Sequence, residues 1–385
     1  MTYITIFKLM EYGGYVMQNR FTQRLGFGFM RLPTINGSIN HEEVNRMVDY
    51  FIEHGGNYFD TGYFYHNGQS EETIRKSVIE RYPREEVKIA DKMPVYNMTH
   101  SADEIFRTQL KRCGVNYFDY YLVHNLSGKL YDGICREYGV FEKLQKYRDE
   151  GKIGKLGISF HDTPEVLERI ISEHSELDFI QLQVNYLDWN SPSIQSGKCY
   201  KVAREYGLPV KVMEPVKGGN LVHLPRDAEK IFREYSDDTN ASWALRFALD
   251  HDGIDTVLSG MSCLEHVKDN IKTVREFRKL DNNQKEMIEQ VKKILLGTNS
   301  IPCTYCDYCT VRCPQEIPIP KYFSVYNNKM QCSADQLLHS IYYDNYARKY
   351  TRASACIACY ECEKVCPQKI GIVDNLGKVA EILEK

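Results

Sequence analysis

The sequence contains no run of about 18 consecutive apolar residues, so no membrane-spanning helix is expected. It also lacks a basic block and an excess of either sign. Lysine and arginine total 49, aspartate and glutamate 52, and the formal net charge is −3. Neither a nucleic acid nor an anionic membrane is therefore an expected partner. The N-terminus has no basic stretch followed by an apolar core and a small-residue cleavage site. No secretion signal is read, and a cytoplasmic location is expected. Nor does a G-x-G-x-x-G follow the first strand-like run, which argues against an open dinucleotide-binding sheet. The 385 residues do offer room for one large domain and one small one, since single cores stop growing near ~250–300 residues.

Cysteine is plentiful, with thirteen residues. Disulfide frameworks belong to short secreted chains, and the distribution here is uneven. Eight cysteines fall in two runs, CTYCDYCTVRCP at 303–314 and CIACYECEKVCP at 356–367. Both read C-x2-C-x2-C-x3-C-P, the bacterial-type run for a [4Fe–4S] cluster. Three cysteines two residues apart reach three iron corners of one cubane as the loop curls, and the fourth ligates the other cluster. The expected ligand sets are Cys303, Cys306, Cys309 and Cys366 for one cluster, and Cys356, Cys359, Cys362 and Cys313 for the other. Pro314 and Pro367 turn the chain away after the last ligands. Zinc is the main competitor, but it usually takes paired C-x2-C ligands. Between the runs, apolar spacing at Leu337, Leu338, Ile341 and Tyr342 predicts a helix, hence a mostly helical ferredoxin-like module.

Ahead of the cysteines, strand-like and helix-like segments alternate. Eight β-rich runs stand at 24–32, 57–61, 87–92, 117–124, 155–159, 179–185, 208–214 and 254–260. Helix start signals lie between them: Asn40 with Glu43, Ser101 with Glu104, and Thr163 before Pro164. Alternation of this kind implies a parallel sheet with right-handed crossovers, and eight repeats favour a closed (β/α)8 barrel, an α/β fold. Chemistry then belongs at the C-terminal strand ends. The second strand ends on Asp60, the third on Lys92 and the fourth on His124. With strands about 4.8 Å apart, these side chains should converge, and Tyr65 follows Asp60 after a turn that Gly62 permits.

That set suits carbonyl reduction. A hydride arriving at carbon leaves charge on oxygen, which a proton donor must quench. Tyr65 is the expected acid, with Lys92 expected to lower its pKa, Asp60 to hold and balance Lys92, and His124 to orient the carbonyl.

With NYFDTGYFYHNGQSEE at 57–72 in place, the sequence resembles the aldo/keto reductase family from about Phe21 onward. More narrowly, it resembles bacterial members that carry a C-terminal [4Fe–4S] dicluster module. The resemblance implies a catalytic tetrad of Asp60, Tyr65, Lys92 and His124. It implies an extended nicotinamide cofactor, NADP or NAD, along Ser159, Gln183, Met213, Pro215, Gly218, Gly219, Gly260, Ser262, His266 and Asn270. A helix starting after Ser262 would present backbone N–H groups to an anion. Two positions depart from the family pattern. Phe160 and His161 follow Ser159 where the family usually has asparagine. His266 stands where many NADP enzymes carry an arginine, with Lys268 as a substitute cation.

The expected organisation is an N-terminal extension over 1–20, with Met17 as an alternative start, a barrel over 21–280, a helical linker over 281–300 and the dicluster module over 301–385. The expected function is reversible reduction of a small aldehyde or ketone to an alcohol. Hydride transfer does not need clusters, so two roles stay open for them. They either exchange electrons with a flavin, a ferredoxin or another carrier, or they fold the tail. A non-enzymatic nicotinamide or redox sensor is a further alternative, though it has no use for a proton donor. Tyr186 and Trp189 are read either as pocket residues or as loop packing. The loop 125–140, expected to choose the substrate, carries no decodable motif.

Overall fold

The computed structural model describes residues 24–384, apart from 99, 193, 298–300, 304, 306, 331–336 and 367. The expectations for residues 1–20, Met17, Cys306 and Pro367 lie outside the described residues.

Eight parallel strands close into a barrel: β1 (Leu25–Gly28), β2 (Tyr58–Asp60), β3 (Lys88–Met93), β4 (Phe118–Leu126), β5 (Ile153–Phe160), β6 (Phe179–Gln183), β7 (Val210–Met213) and β8 (Ile254–Gly260). Closure is carried by β1, which pairs in parallel with both β2 and β8. A two-stranded hairpin, Thr34–Ile35 with Ser38–Ile39, follows β1.

The helices wrap the outside because their apolar stripes match a 3.6-residue period. Helix α1 (His41–Glu53) buries Val44, Met47, Val48 and Phe51, and the Asn40 side chain caps it by accepting from the Glu43 N–H at 3.3 Å. Each such buried side chain contributes about 1.5–3 kcal/mol. Helix α2 (Ala102–Cys113) opens on a reciprocal capping box between Ser101 and Glu104 and ends at Gly114 with φ 69°. Helix α3 (Pro164–Glu173) starts on its proline after extended Thr163.

Inside the barrel, Tyr58, Ala90, Leu122, Phe179 and Leu258 form the floor. Lys211 is buried among the rings of Tyr58, Tyr120 and Phe179, with its ammonium 3.2 Å from Asp255. The floor closes the barrel from below, leaving the C-terminal mouth as the open end.

Helix α4 (Asn282–Gly297) packs Met287, Ile288, Val291 and Leu295 in one apolar cluster with Phe232 and Trp243. Beyond it the chain is helical: α5 (Ile319–Met330), α6 (Leu337–Lys349) and α7 (Ile372–Leu383). Their core is built from Tyr322, Phe323, Tyr343, Ile372, Leu376 and Val379, and Ile194 of the barrel joins it. Polar bonds also cross between the two parts. Asn328 donates to Ser191 Oγ at 3.1 Å, and Asn345 donates to the His161 carbonyl at 3.2 Å.

Candidate active site

At the barrel mouth a cavity of about 570 Å³ is lined by Asp60, Tyr65 and His124, with Lys92 fully buried beneath. Lys92 Nζ lies 2.6 Å from Asp60 Oδ1 and donates to the Thr61 carbonyl at 2.5 Å. Burial pushes the Asp60 carboxyl above the usual range, and the Lys92 ammonium pulls it back.

Tyr65 is delivered by a tight turn. Its N–H donates to the Gly62 carbonyl at 3.0 Å. A Cβ at position 62 would stand 3.1 Å from the Tyr65 ring, so any larger residue there would have to push the ring back. The next residues, His66, Asn67 and Gly68, are all left-handed, and the Leu32 N–H donates to His66 Nε2 at 3.1 Å. The Tyr65 ring meets His124 edge-on at 5.8 Å between centroids, and Lys92 Nζ lies 5.1 Å from the Tyr65 ring centroid. His124 sits where the β4–β5 register shifts, beside left-handed Asn125. An irregularity of this kind re-aims a side chain.

The electrostatics differ from expectation at one point. Lys92 is engaged by Asp60 and Thr61, and burial dominates at Tyr65. Desolvation, reinforced by Asp60, Glu214 and Asp91, pushes the phenol well above the ordinary tyrosine range, while Arg31 opposes. The chain therefore holds Tyr65 protonated instead of making it acidic. Burial, with Lys92 and His161 adding, holds His124 well below the usual histidine range, so the imidazole is neutral. Its Nδ1 is buried without a hydrogen-bond partner, which leaves that atom available to a bound group.

The cofactor-side expectations fall mostly on the same cavity. Ser159, Met213, Pro215, Gly218, Gly219, Gly260, Ser262, His266 and Asn270 line it. Gln183 does not. Its amide donates to Asp188 at 2.5 Å and accepts from the Tyr342 hydroxyl at 3.3 Å, which leaves neighbouring Gln181 in the wall. Gln181 points the same way at period two, a signal that the sequence reading passed over. A helix does start after Ser262, over Leu264–Arg275. Its first N–H, that of Leu264, donates to Glu43 Oε1 at 3.0 Å, and the Ser262 N–H ahead of the helix donates to His266 Nδ1 at 3.3 Å. Sequence reasoning missed Arg31, Tyr96, Asn125 and Glu214 in the wall. Tyr186 and Trp189 are packing residues: Tyr186 is fully buried, and Trp189 leans on Tyr200, Phe247 and His251.

The cavity fits an extended cofactor. Buried polar atoms without partners, Gln181 Oε1, His161 Nδ1 and His124 Nδ1, cluster along it as hydrogen-bonding positions for a bound group.

The cysteine runs share one backbone. Tyr305 and Ala358 are left-handed at the same place in each run, as are Asp307 and Tyr360, and Glu316 and Lys369. None of these is glycine, so each costs about 1 kcal/mol or more unless the surroundings enforce it. Left-handed residues recurring in this way are a feature of the concave backbone found at many iron–sulfur sites. Cys313 of the first run lines one recess with Cys356, Cys359 and Cys362 of the second. Cys303, Cys309 and Cys366 pack against the same tail core. Among the described residues, no three Cys, His, Asp or Glu side chains gather closely enough for a single metal ion. A cubane spreads its ligands more widely. Burial pushes the Cys309 and Cys362 thiols up to about 12 and about 11, and a bound metal would draw them to the thiolate.

Comparison with known proteins agrees with this anatomy. A family model described as the aldo/keto reductase family matches residues 24–293, and one described as a 4Fe-4S dicluster domain matches residues 302–370. An aldo-keto reductase of Mycobacterium avium is 27% identical over 248 residues, covering 64% of this chain and 79% of that protein. An NADH-specific methylglyoxal reductase of Escherichia coli is 24% identical over 301 residues, covering 64% and 88%. Among solved structures, the holo form of an aldo-keto reductase from Bacillus halodurans superposes with a TM-score of 0.58 at 26% identity, covering 70% of this chain and 91% of that one. A Klebsiella pneumoniae aldo-keto reductase in complex with NADPH shares the fold at 20% identity, with a TM-score of 0.57 and coverage of 70% and 90%. The barrel, its mouth and these matches lead to one conclusion: the chain is an oxidoreductase that belongs to the aldo/keto reductase family and carries a C-terminal 4Fe-4S dicluster domain.

Proposed function

We propose that the protein reversibly reduces a small aldehyde or ketone to an alcohol, with a nicotinamide cofactor along the mouth-side cavity. The observation that carries this reading is the placement of Tyr65 and His124 on one cavity wall, with the Lys92–Asp60 pair buried beneath. A bound, reduced nicotinamide supplies hydride. The chain's own residues handle the oxygen. Neutral His124 donates a hydrogen bond to the carbonyl and fixes its orientation. Tyr65, kept protonated by burial, gives up its proton as charge develops on the oxygen. Lys92 lies close to the phenolate that results and stabilises it more than it stabilises the phenol, which is where an enzyme gains rate.

The choice between NADP and NAD belongs to this proposal. The position of His266 offers no guanidinium fork. Lys268 leans on Glu265 at 4.0 Å and over the Tyr50 ring at 5.8 Å. We assign the eight run cysteines to two [4Fe–4S] clusters. Bound there, the clusters offer one-electron chemistry. The matching left-handed loops and the helices they bracket support a folding role for them, with exchange to a flavin or ferredoxin as the alternative.

The test is anaerobic turnover of the cluster-loaded enzyme with NADH or NADPH and a set of aldehydes and ketones, followed across pH. With His124 held neutral and Tyr65 protonated, kcat/KM is expected to show no inflection near pH 6.5. A clear fall as pH drops through 6.5 would place a charged histidine in the reaction and contradict the assignment. Oxidation of neither cofactor by any substrate would remove it.

A further inference from the structure

The tail does more at the barrel mouth than pack beside it. Ile341, Asp344, Asn345 and Arg348, four residues of α6, line the cavity that holds Tyr65 and His124. Their spacing of three, four and seven places them on one helix face. The other face is anchored. Tyr342 is buried and donates to Gln183, and Tyr343 is fully buried in the tail core. Helix α6 therefore presents a fixed polar face to the site from a segment bracketed by the two cysteine runs.

This face carries one carboxylate, Asp344, and one guanidinium, Arg348. The cavity continues into a second one of about 370 Å³, which shares His161, Asn345 and Arg348 and adds Lys129, Lys321 and Lys349. The carboxylates of both cavities have partners of their own, although Asp162 and Asp269 accept from neutral donors and keep their charge. Asp132 is held bidentately by Arg169 at 2.7 and 2.9 Å. Asp162 accepts from the Gly128 and Thr163 N–H groups at 2.9 and 2.8 Å. Asp344 faces Arg352 at 3.9 Å, Asp269 accepts from the Thr239 hydroxyl, and Asp60 is held by Lys92. Buried Glu214 lies in the field of Arg31. Among the described residues, Arg348, Lys129 and Lys349 have no carboxylate within ion-pair distance. Arg348 therefore stands at the cavity wall as a guanidinium with no carboxylate of its own among the described residues, where it can meet an anionic group of a bound molecule.

We propose that α6 completes the substrate pocket, and that Arg348, at the junction of the two cavities, selects a carbonyl substrate bearing an anionic group such as a carboxylate. This deepens the reductase reading and rests on it. Arginine suits the task because its planar fork meets a carboxylate with two parallel hydrogen bonds. The iron–sulfur module would then be part of the specificity apparatus, whatever its redox role.

The experiment compares succinic semialdehyde with butanal, two four-carbon aldehydes that differ by one terminal carboxylate, using the cluster-loaded full chain. The readout is the ratio of kcat/KM for the anion to that for the neutral aldehyde. The wild type is expected to favour the anion. Arg348→Gln is expected to lower the ratio about tenfold or more through KM, the scale of one charge-assisted contact, and Arg348→Lys to restore part of it. Calorimetric binding of succinate provides an arm that does not need turnover, and Arg348→Gln is expected to weaken it by a similar factor. A wild-type preference for butanal, or a ratio and a succinate affinity both unchanged in Arg348→Gln, overturns the proposal. Absence of turnover with intact, Arg348-dependent succinate binding overturns the reductase reading alone.

Discussion

Tyr65→Phe is expected to lower kcat for carbonyl reduction by ~10²–10⁴-fold, the range for loss of a positioned general acid, while leaving nicotinamide affinity nearly unchanged. The substitution removes one oxygen and keeps the ring. Edge-on contact with His124 and proximity to Lys92 are ring properties, so the wall of the cavity survives. The missing group is the one whose proton must reach the developing alkoxide. Steady-state kinetics together with a fluorescence titration of NADH or NADPH separate the two quantities. A kcat within a few-fold of wild type would mean that the proton comes from elsewhere. Lost cofactor binding would mean that the phenol is structural. The same variant addresses the sensor alternative, because a sensor would keep its cofactor response.

Asp60→Ala is expected to destabilise the fold by ~3–5 kcal/mol, as removal of one member of a buried ion pair does. Lys92 is fully buried, and the loss of Asp60 leaves its ammonium with the neutral Thr61 carbonyl as an acceptor. Replacing both members, as Asp60→Leu with Lys92→Met, removes the charge together with its partner. Most of the lost stability should return, although activity should not. Urea unfolding of the cluster-loaded protein measures both effects. If the single substitution costs less than ~1 kcal/mol, Lys92 is not an enforced cation, and the proposed electrostatic support for the Tyr65 phenolate goes with it.

The barrel was legible because its strands are short β-rich runs separated by helices with clear caps. Asn40, Ser101 and Pro164 mark helix starts that the structure contains. Asp60, Lys92 and His124 were legible as a group because parallel neighbours bring successive strand ends together. The direction of the Tyr65 shift was not legible. It depends on how much water the folded mouth excludes, and Glu214 and Asp91, far away in sequence, add to it. Gln183 and Gln181 could not be told apart in the sequence because they lie two residues apart on the same strand face, and only Asp188 and Tyr342 decide which amide is tied down. The repeated spacing of the cysteines was visible, but not the left-handed backbone at Tyr305, Asp307, Ala358 and Tyr360, since none is glycine. The docking of α6 over the mouth was hidden as well. Its apolar spacing announces a helix, whereas its partners lie on β6 and just after β5, more than a hundred residues upstream.

The most direct measurement of the central claim is isotopic. Cluster-loaded enzyme is given nicotinamide cofactor deuterated at the transferable position, together with an aldehyde substrate, under anaerobic conditions, and the alcohol is analysed by mass spectrometry. Direct hydride transfer at the Tyr65 site predicts one deuterium on the former carbonyl carbon of each product molecule. Alcohol formed without deuterium would show that electrons arrive by another route, through the iron–sulfur tail, and would contradict the account.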